Sequence, residues 1–207
     1  MATVINNRSN LTTDPIRNFR FLVDFIPHDT TAAWKDTITM GFTSVSGLSV
    51  TTDSIPYREG GYNTTVHQIP GQTTFAPISL QRGVILGTNQ NWEWMRQLFA
   101  TVQGGAKGVQ GKSFRADMEI RVLSHPIPGS AGGSAPNGVA NLASDDHVAM
   151  RFKVYNAWPT SVAYSDLNAG DNALLVEAIT LVHEGFDVNW AAKGNAGLLK
   201  AGEAKAF

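Results

Sequence analysis

Apolar and polar side chains alternate in several stretches of this chain, and the alternation marks where strands begin and end. Over residues 19–25, Phe19, Phe21, Val23 and Phe25 fall on one face and Arg20 and Asp24 on the other, with Leu22 the exception. A period of two predicts a half-buried strand. The pattern is clearest over residues 114–122, where Phe114, Ala116, Met118, Ile120 and Val122 alternate with Arg115, Asp117, Glu119 and Arg121. That strand is expected to keep its charged face in water. Residues 148–155 repeat the theme, with Val148, Met150, Phe152 and Val154 inward. Residues 174–186 read as extended, with Leu175, Ile179 and Leu181 on one face and Val176 and Val182 on the other. A strand that is apolar on both sides is either central or covered by a partner.

Residues 41–81 have a different texture, rich in Thr, Ser, Val and Ile, with turn signals at Gly47, Pro56, Gly60-Gly61 and Pro70-Gly71. They read as strands in a meander or hairpin. Only Asp53, Arg58 and Glu59 are charged, where the chain average of 16% predicts about six or seven. Its polar positions are hydroxyls. A helix is predicted from Thr88 or Asn89, either of which could cap it, to about Gln103, with Gly104-Gly105 as the stop. Trp92, Met95, Phe99 and Val102 share helical spacing and are expected to pack on the core. Residues 27–37 read as a loop with room for a helical turn around Trp34. Residues 125–147 form a Pro/Gly/Ala/Ser-rich loop longer than a compact domain usually holds without a use for it.

The 207 residues, 43% hydrophobic, are enough for one sizeable core or two small ones, and one domain with extensions is expected. The net charge of -1 argues against a basic face that grips duplex DNA. Without cysteine, a disulfide scaffold, a thiolate metal site and a cysteine nucleophile are all excluded. No apolar run approaches the roughly 20 residues of a membrane span. The polar N-terminus lacks the apolar segment of a secretory signal, so folding in a cytoplasm is expected. The acceptor-like triplets at Asn7, Asn10 and Asn63 then carry no meaning.

No catalytic, cofactor or metal residues are expected. Residues 106–113, Ala-Lys-Gly-Val-Gln-Gly-Lys-Ser, fit a relaxed phosphate-binding loop, but helix, loop and strand follow in the inverse of the order that chemistry needs. His28, His67, His125, His147 and His183 are scattered, and His183-Glu184 lacks the second histidine of a zinc-protease helix. A Gly-x-Ser-x-Gly elbow is absent. Asp145-Asp146-His147 reads as an exposed acidic loop.

From residue 14 to about 188, a series of segments recurs in a familiar order: Asp14-Pro15-Ile16-Arg17-Asn18-Phe19-Arg20-Phe21, Val45-Ser46-Gly47-Leu48-Ser49-Val50, and Tyr57-Arg58-Glu59-Gly60-Gly61-Tyr62-Asn63-Thr64-Thr65. Ile69-Pro70-Gly71, Ile78-Ser79-Leu80-Gln81-Arg82-Gly83, Trp92-Glu93-Trp94-Met95, Asn156-Ala157-Trp158-Pro159, Asp166-Leu167-Asn168 and Leu181-Val182-His183-Glu184-Gly185-Phe186 complete it. In these the chain resembles the tail tube proteins of contractile-tailed phages, a family shared with phage-derived contractile injection particles. The long stretch 125–147, where relatives have a short turn, and the tail beyond Trp190 depart from that pattern.

The resemblance implies a mainly β protein, a β-sandwich or barrel with one packed helix at about 88–103. It implies hexameric rings stacked into a tube, with an inner β-barrel shared by all subunits and residues 41–81 contributing to it. Expected domains are an N-terminal arm (1–13), the β-domain (14–190, with the inserted loop 125–147) and a C-terminal extension (191–207). Ser44, Ser46, Thr52, Ser54, Thr64 and Thr73 are candidates for the lumen, with the inward parity left open. Tyr57, Arg58, Glu59, Leu175, Ile179 and Leu181 are candidates for subunit contacts. Implied partners are a tail sheath, baseplate or tail terminator and tape measure proteins, with DNA or an effector passing through without sequence-specific binding. The expected place is the virion tail, assembled in a host cytoplasm. The tube of an injection particle, a non-contractile or secretion-system tube, and a β-sandwich binding module at a tail tip or baseplate remain open.

Overall fold

The computed structural model describes residues 16, 18–28, 37–61, 64–85, 87, 89–104, 114–123, 148–170 and 172–190. The readings for the arm 1–13, the turn at Trp34, the loops 106–113 and 125–147, Asp145-Asp146-His147 and the tail 191–207 lie outside them. In chain order come β1 (Phe21–Pro27), β2 (Ile38–Met40), β3 (Ser44–Ser46), β4 (Val50–Tyr57), β5 (His67–Phe75), β6 (Ile78–Gly83), α1 (Gln90–Gln103), β7 (Ala116–Leu123), β8 (Val148–Tyr164), β9 (Val176–Val182) and β10 (Gly185–Trp190).

The backbone of the fold is a long bent ribbon. β9 and then β10 run antiparallel to β8 along the same edge, Trp158 facing Val182 and Tyr155 facing Gly185. The ribbon turns a corner where His183-Glu184 lies opposite Asn156, a non-glycine residue at φ 52°. Side-chain hydrogen bonds hold the corner. Asn156 Nδ2 donates to Glu184 Oε2 (2.6 Å), and the Asn156 amide donates to Asp117 Oδ1 (3.1 Å). Asn tolerates this left-handed conformation better than most residues. Beyond the corner the two arms of the ribbon recruit different partners. One arm carries β7, β1 and β2, the other β6 and β3. Residues 148–164 therefore form one strand, longer than the expected 148–155, while the expected single stretch 174–186 is two strands with a break.

The core lies between the two arms. Val23, Phe25, Met118 and Val154 come from one side, and Ile78, Leu80, Ile179 and Leu181 from the other, all buried. Trp94 of α1 closes the end, its ring 5.8 Å edge-on from Phe25, its Nε1 donating to the Phe114 carbonyl at 2.7 Å. β1 starts later than the pattern implied, since Phe19 is exposed.

Two expectations are overturned by burial. The charged face of β7 is not wet, because Asp117, Glu119 and Arg121 are all buried. β7 is central, and flanking strands place opposite charges beside it: Arg121 Nε lies 2.7 Å from Asp24 Oδ2 and Arg151 Nη1 2.5 Å from Glu119 Oε1, while His28, just past β1, places its Nε2 within hydrogen-bond distance (2.7 Å) of Asp117 Oδ1. Alternation reveals the face but not its neighbours. On α1, the stripe Trp92, Phe99 and Val102 is exposed, and the buried side is Asn91, Trp94 and Met95. Asn89 holds the N-cap position without a side-chain cap bond, and Gly104, at φ 68°, ends the helix in the left-handed conformation.

Asn91 faces inward because a buried carboxylate waits for it. Its Nδ2 donates to Glu177 Oε2 (3.0 Å), which also accepts from Arg82 Nε (2.7 Å), while Tyr164 donates its hydroxyl proton to Glu177 Oε1 (3.1 Å). Burial, and then the neighbouring Glu177 charge, raise the Tyr164 phenol above its usual pKa. This cluster ties α1 to β6, β8 and β9.

Candidate functional site

β4 and β5 pair only with each other, as a two-stranded hairpin separate from the ribbon and its partners. Every residue of β4 is exposed, and on β5 only Gly71 and Phe75 are partly covered. The hairpin is anchored at its base. The Phe75 ring lies 5.8 Å from His183 and 5.7 Å from Phe186, and His183 Nε2 is 3.0 Å from the Ala76 carbonyl. Before it, Gly47 sits at φ 93°, where a Cβ would come within 2.0 Å of the Pro77 carbonyl oxygen. Only glycine permits that crossing.

The register sorts the hairpin into two faces. Val50 pairs with Phe75, Thr52 with Thr73, Ser54 with Pro70 and Pro56 with Gln68, which places these eight on one face. Thr51 with Thr74, Ile55 with Ile69 and Tyr57 with His67 occupy the other. The register shifts between Thr52 and Ser54, where Gly71 and Gln72 stand opposite Asp53. Pro56 and Pro70-Gly71, read above as turns, are therefore inside strands. Each strand of an isolated pair is an edge, which is where proline is tolerated. The first face carries hydroxyls, with Thr52 and Thr73 Oγ1 atoms 2.9 Å apart. The second carries the Thr51 and Thr74 hydroxyls, 3.1 Å apart, near its base and beyond them an apolar patch in which Ile55 is 54%, Tyr57 50% and Ile69 47% exposed.

Of the residues expected in the lumen, Thr52, Ser54 and Thr73 thus share a face. Thr64 lies in the connection between β4 and β5, and Ser44 and Ser46 lie on β3, paired with β6. All six are exposed. Of the residues expected at subunit contacts, Tyr57, Arg58 and Glu59 are exposed at the far end of the hairpin, and Leu175 is partly exposed. Ile179 and Leu181 are corrected: at 1% and 0% exposure they belong to the protomer's own core. The half-covered face of β9 is the other one, Val176, Ala178, Thr180 and Val182. Ile55 and Ile69 escaped the sequence reading because their pairing depends on the register shift.

A second feature lies between β3 and the outer ends of β1, β7, β8 and β10. It is an open apolar groove of about 460 Å³, with Phe21, Val45, Val122, Met150 and Trp190 in its walls and no charged side chain among the described residues that line it. Among the described residues no group of three or more His, Asp or Glu could hold a metal ion, and no helix is long and apolar enough to cross a membrane.

No curated protein matches the sequence significantly. Solved structures do match in fold. A chain of the anti-feeding prophage baseplate aligns at TM-score 0.63 and 21% identity, over 86% of this chain and 97% of that one. A chain of the sheath-tube complex of PVC, an extracellular contractile injection system, aligns at TM-score 0.61 and 24% identity, over 87% and 95%. A chain of the anti-feeding prophage cap, described as tube-terminating, aligns at TM-score 0.60 and 25% identity, over 92% and 100%. The sequence model of the T4-like virus tail tube protein gp19 matches residues 17–187. That span holds the bent ribbon, the helix and the hairpin together, and by it the chain belongs to the T4-like virus tail tube protein family.

Proposed function

We propose that this protein is a structural subunit of a tail tube, a virion component that stacks as hexameric rings around a channel for DNA or an effector. The family supports the structural role, and the hairpin is the observation that carries the assembly. A two-stranded sheet in water is marginally stable at best. Here one stands off the body with apolar residues on its surface, which a neighbouring copy would cover. In the tube the face bearing Thr52, Ser54 and Thr73 turns to the lumen. Hydroxyls keep such a wall hydrated without fixed charge, so a polyanion slides past instead of binding. The partners would be a sheath, a terminator, a baseplate and a tape measure protein, with no catalysis and no nucleotide bound. The 25% identity to the cap of the anti-feeding prophage makes the tube of an injection particle the second reading.

Light scattering of purified protein should give hexamers or larger species, and negative-stain micrographs should show tubes or rings. Strictly monomeric protein at high concentration would overturn the proposal. Thermal-shift assays with ATP and magnesium should show no stabilisation.

A further inference from the structure

We propose that the apolar patch of the hairpin, Ile55, Ile69 and Tyr57, seats in the groove beside β3 on a second copy of this chain. The proposal rests on the tube reading above and names the contact through which copies join. Among the described residues both surfaces are open: the patch is about half exposed, and the groove is walled by Phe21, Val45, Val122 and Met150. None of the hairpin's own residues lines the groove. One surface is a ridge and the other a hollow, and they share a chemistry. Among the described residues the groove lacks charge, and its polar side-chain groups are those of Asn18, Thr43 and Ser44 and the Trp190 indole N–H. Between Ile55 and Ile69 the ridge is equally free of charge, with Asp53 and His67 displaced toward its two ends.

A patch and a pocket on different surfaces of one chain make a heterologous contact. Such a contact closes into a ring or continues as a helix, and it does not stop at a dimer. That is the kind of contact a tube needs. It also leaves uncovered the face that bears Thr52, Ser54 and Thr73, since the two faces are set apart by the register. A small molecule would fit a groove of this volume, but nothing in its walls supplies a charged anchor to fix one.

The native chain has no cysteine, so engineered pairs report without background. Tubes of the Ile55→Cys/Met150→Cys double variant, treated with a short bis-maleimide, should run on denaturing gels as a ladder of covalent oligomers. Mixed tubes of the two single variants should give dimers and nothing longer. Tubes that form but yield only monomer, or a linkage closed within one chain, would overturn the contact and leave the tube reading standing. Wild-type protein that forms no rings or tubes would overturn both. Should the cysteine pair impair assembly, Ile55→Asp/Ile69→Asp supplies an independent measure. Its circular dichroism and melting should match wild type because both side chains are exposed, while assembly falls at least tenfold, and Met150→Lys should recover part of it. Unchanged assembly of the Asp variant sinks the proposal. So does a link within one chain between Leu198→Cys and Met150→Cys, which would put the chain's own tail in the groove.

Discussion

At Gly47 the backbone passes so close to Pro77 that a single methyl group decides the local fold. Gly47→Ala should lower stability by about 1–3 kcal/mol, measured by urea unfolding. A shift of under half that would mean the β3–β4 crossing relaxes easily. Tyr155 is the residue whose titration reaches the fold. Its phenol is pushed up to about 12, first by burial and then by donating its hydrogen bond to Asp187, with the Asp187 and Asp117 charges adding to both. The folded state therefore holds the proton more tightly than the unfolded state, whose phenol titrates near 10. Its contribution to stability is complete below about pH 10 and is lost as pH rises toward about 12. Tyr155→Phe should cost little more than about 1 kcal/mol at neutral pH and should flatten the fall in melting temperature between those pH values. An identical alkaline slope in both proteins would remove Tyr155 from the account.

Among the elements, α1 shows how a polar contact chooses which face of a helix is buried. Its sequence offers two apolar lines, one through Trp92, Phe99 and Val102 and one through Trp94 and Met95. The second is buried because the Trp94 N–H finds the Phe114 carbonyl and Asn91 reaches Glu177. Neither partner is readable from helical spacing, which is why, of the expected stripe, Met95 is buried while Trp92, Phe99 and Val102 are exposed. Val102 is left 79% exposed. Removing Glu177 strands the buried Arg82 guanidinium, so Glu177→Ala should cost about 3–5 kcal/mol. Replacing both partners, as in Arg82→Met/Glu177→Leu, should cost clearly less than the sum of the two single changes, and a double-mutant cycle in urea gives the coupling. The strands were legible wherever one face meets the core, as at Val23 and Phe25 or at Ile120 and Val154. What was misjudged is the exposure of the charged face of β7, which is buried like its apolar face. The polar partners beside Asp117, Glu119 and Arg121 come from residues far away in the chain, and alternation does not predict who the neighbours will be.

At the scale of the whole molecule, the scarcity of charge in residues 41–81 was visible in the sequence, whereas the face that bears each hydroxyl was not. Parity depends on the register shift beside Asp53, and that shift is set by how β4 meets β5. With the register in hand the lumen proposal becomes a contrast between adjacent residues. Thr52→Lys repeats a cation in every subunit around the channel, and each new phosphate contact steepens the salt dependence of DNA binding by a log–log slope of about 0.9. Ejection from such tubes should slow at low salt and recover at high salt. Thr51→Lys, on the opposite face, should leave the rate unchanged wherever tubes still form. Equal slowing by both would erase the distinction between the faces.

The corner at Asn156 reaches beyond geometry. Because one continuous strand serves both layers and a shared core is packed between them, the two should open as one cooperative unit. Amide hydrogens of β7 in one layer and β6 in the other should then exchange at the slow rate of global unfolding, with equal opening free energies. The hairpin hangs outside this unit. Its amides should exchange quickly in the free protomer and become protected only in the tube, so that a particle built from these subunits completes its folding when it assembles.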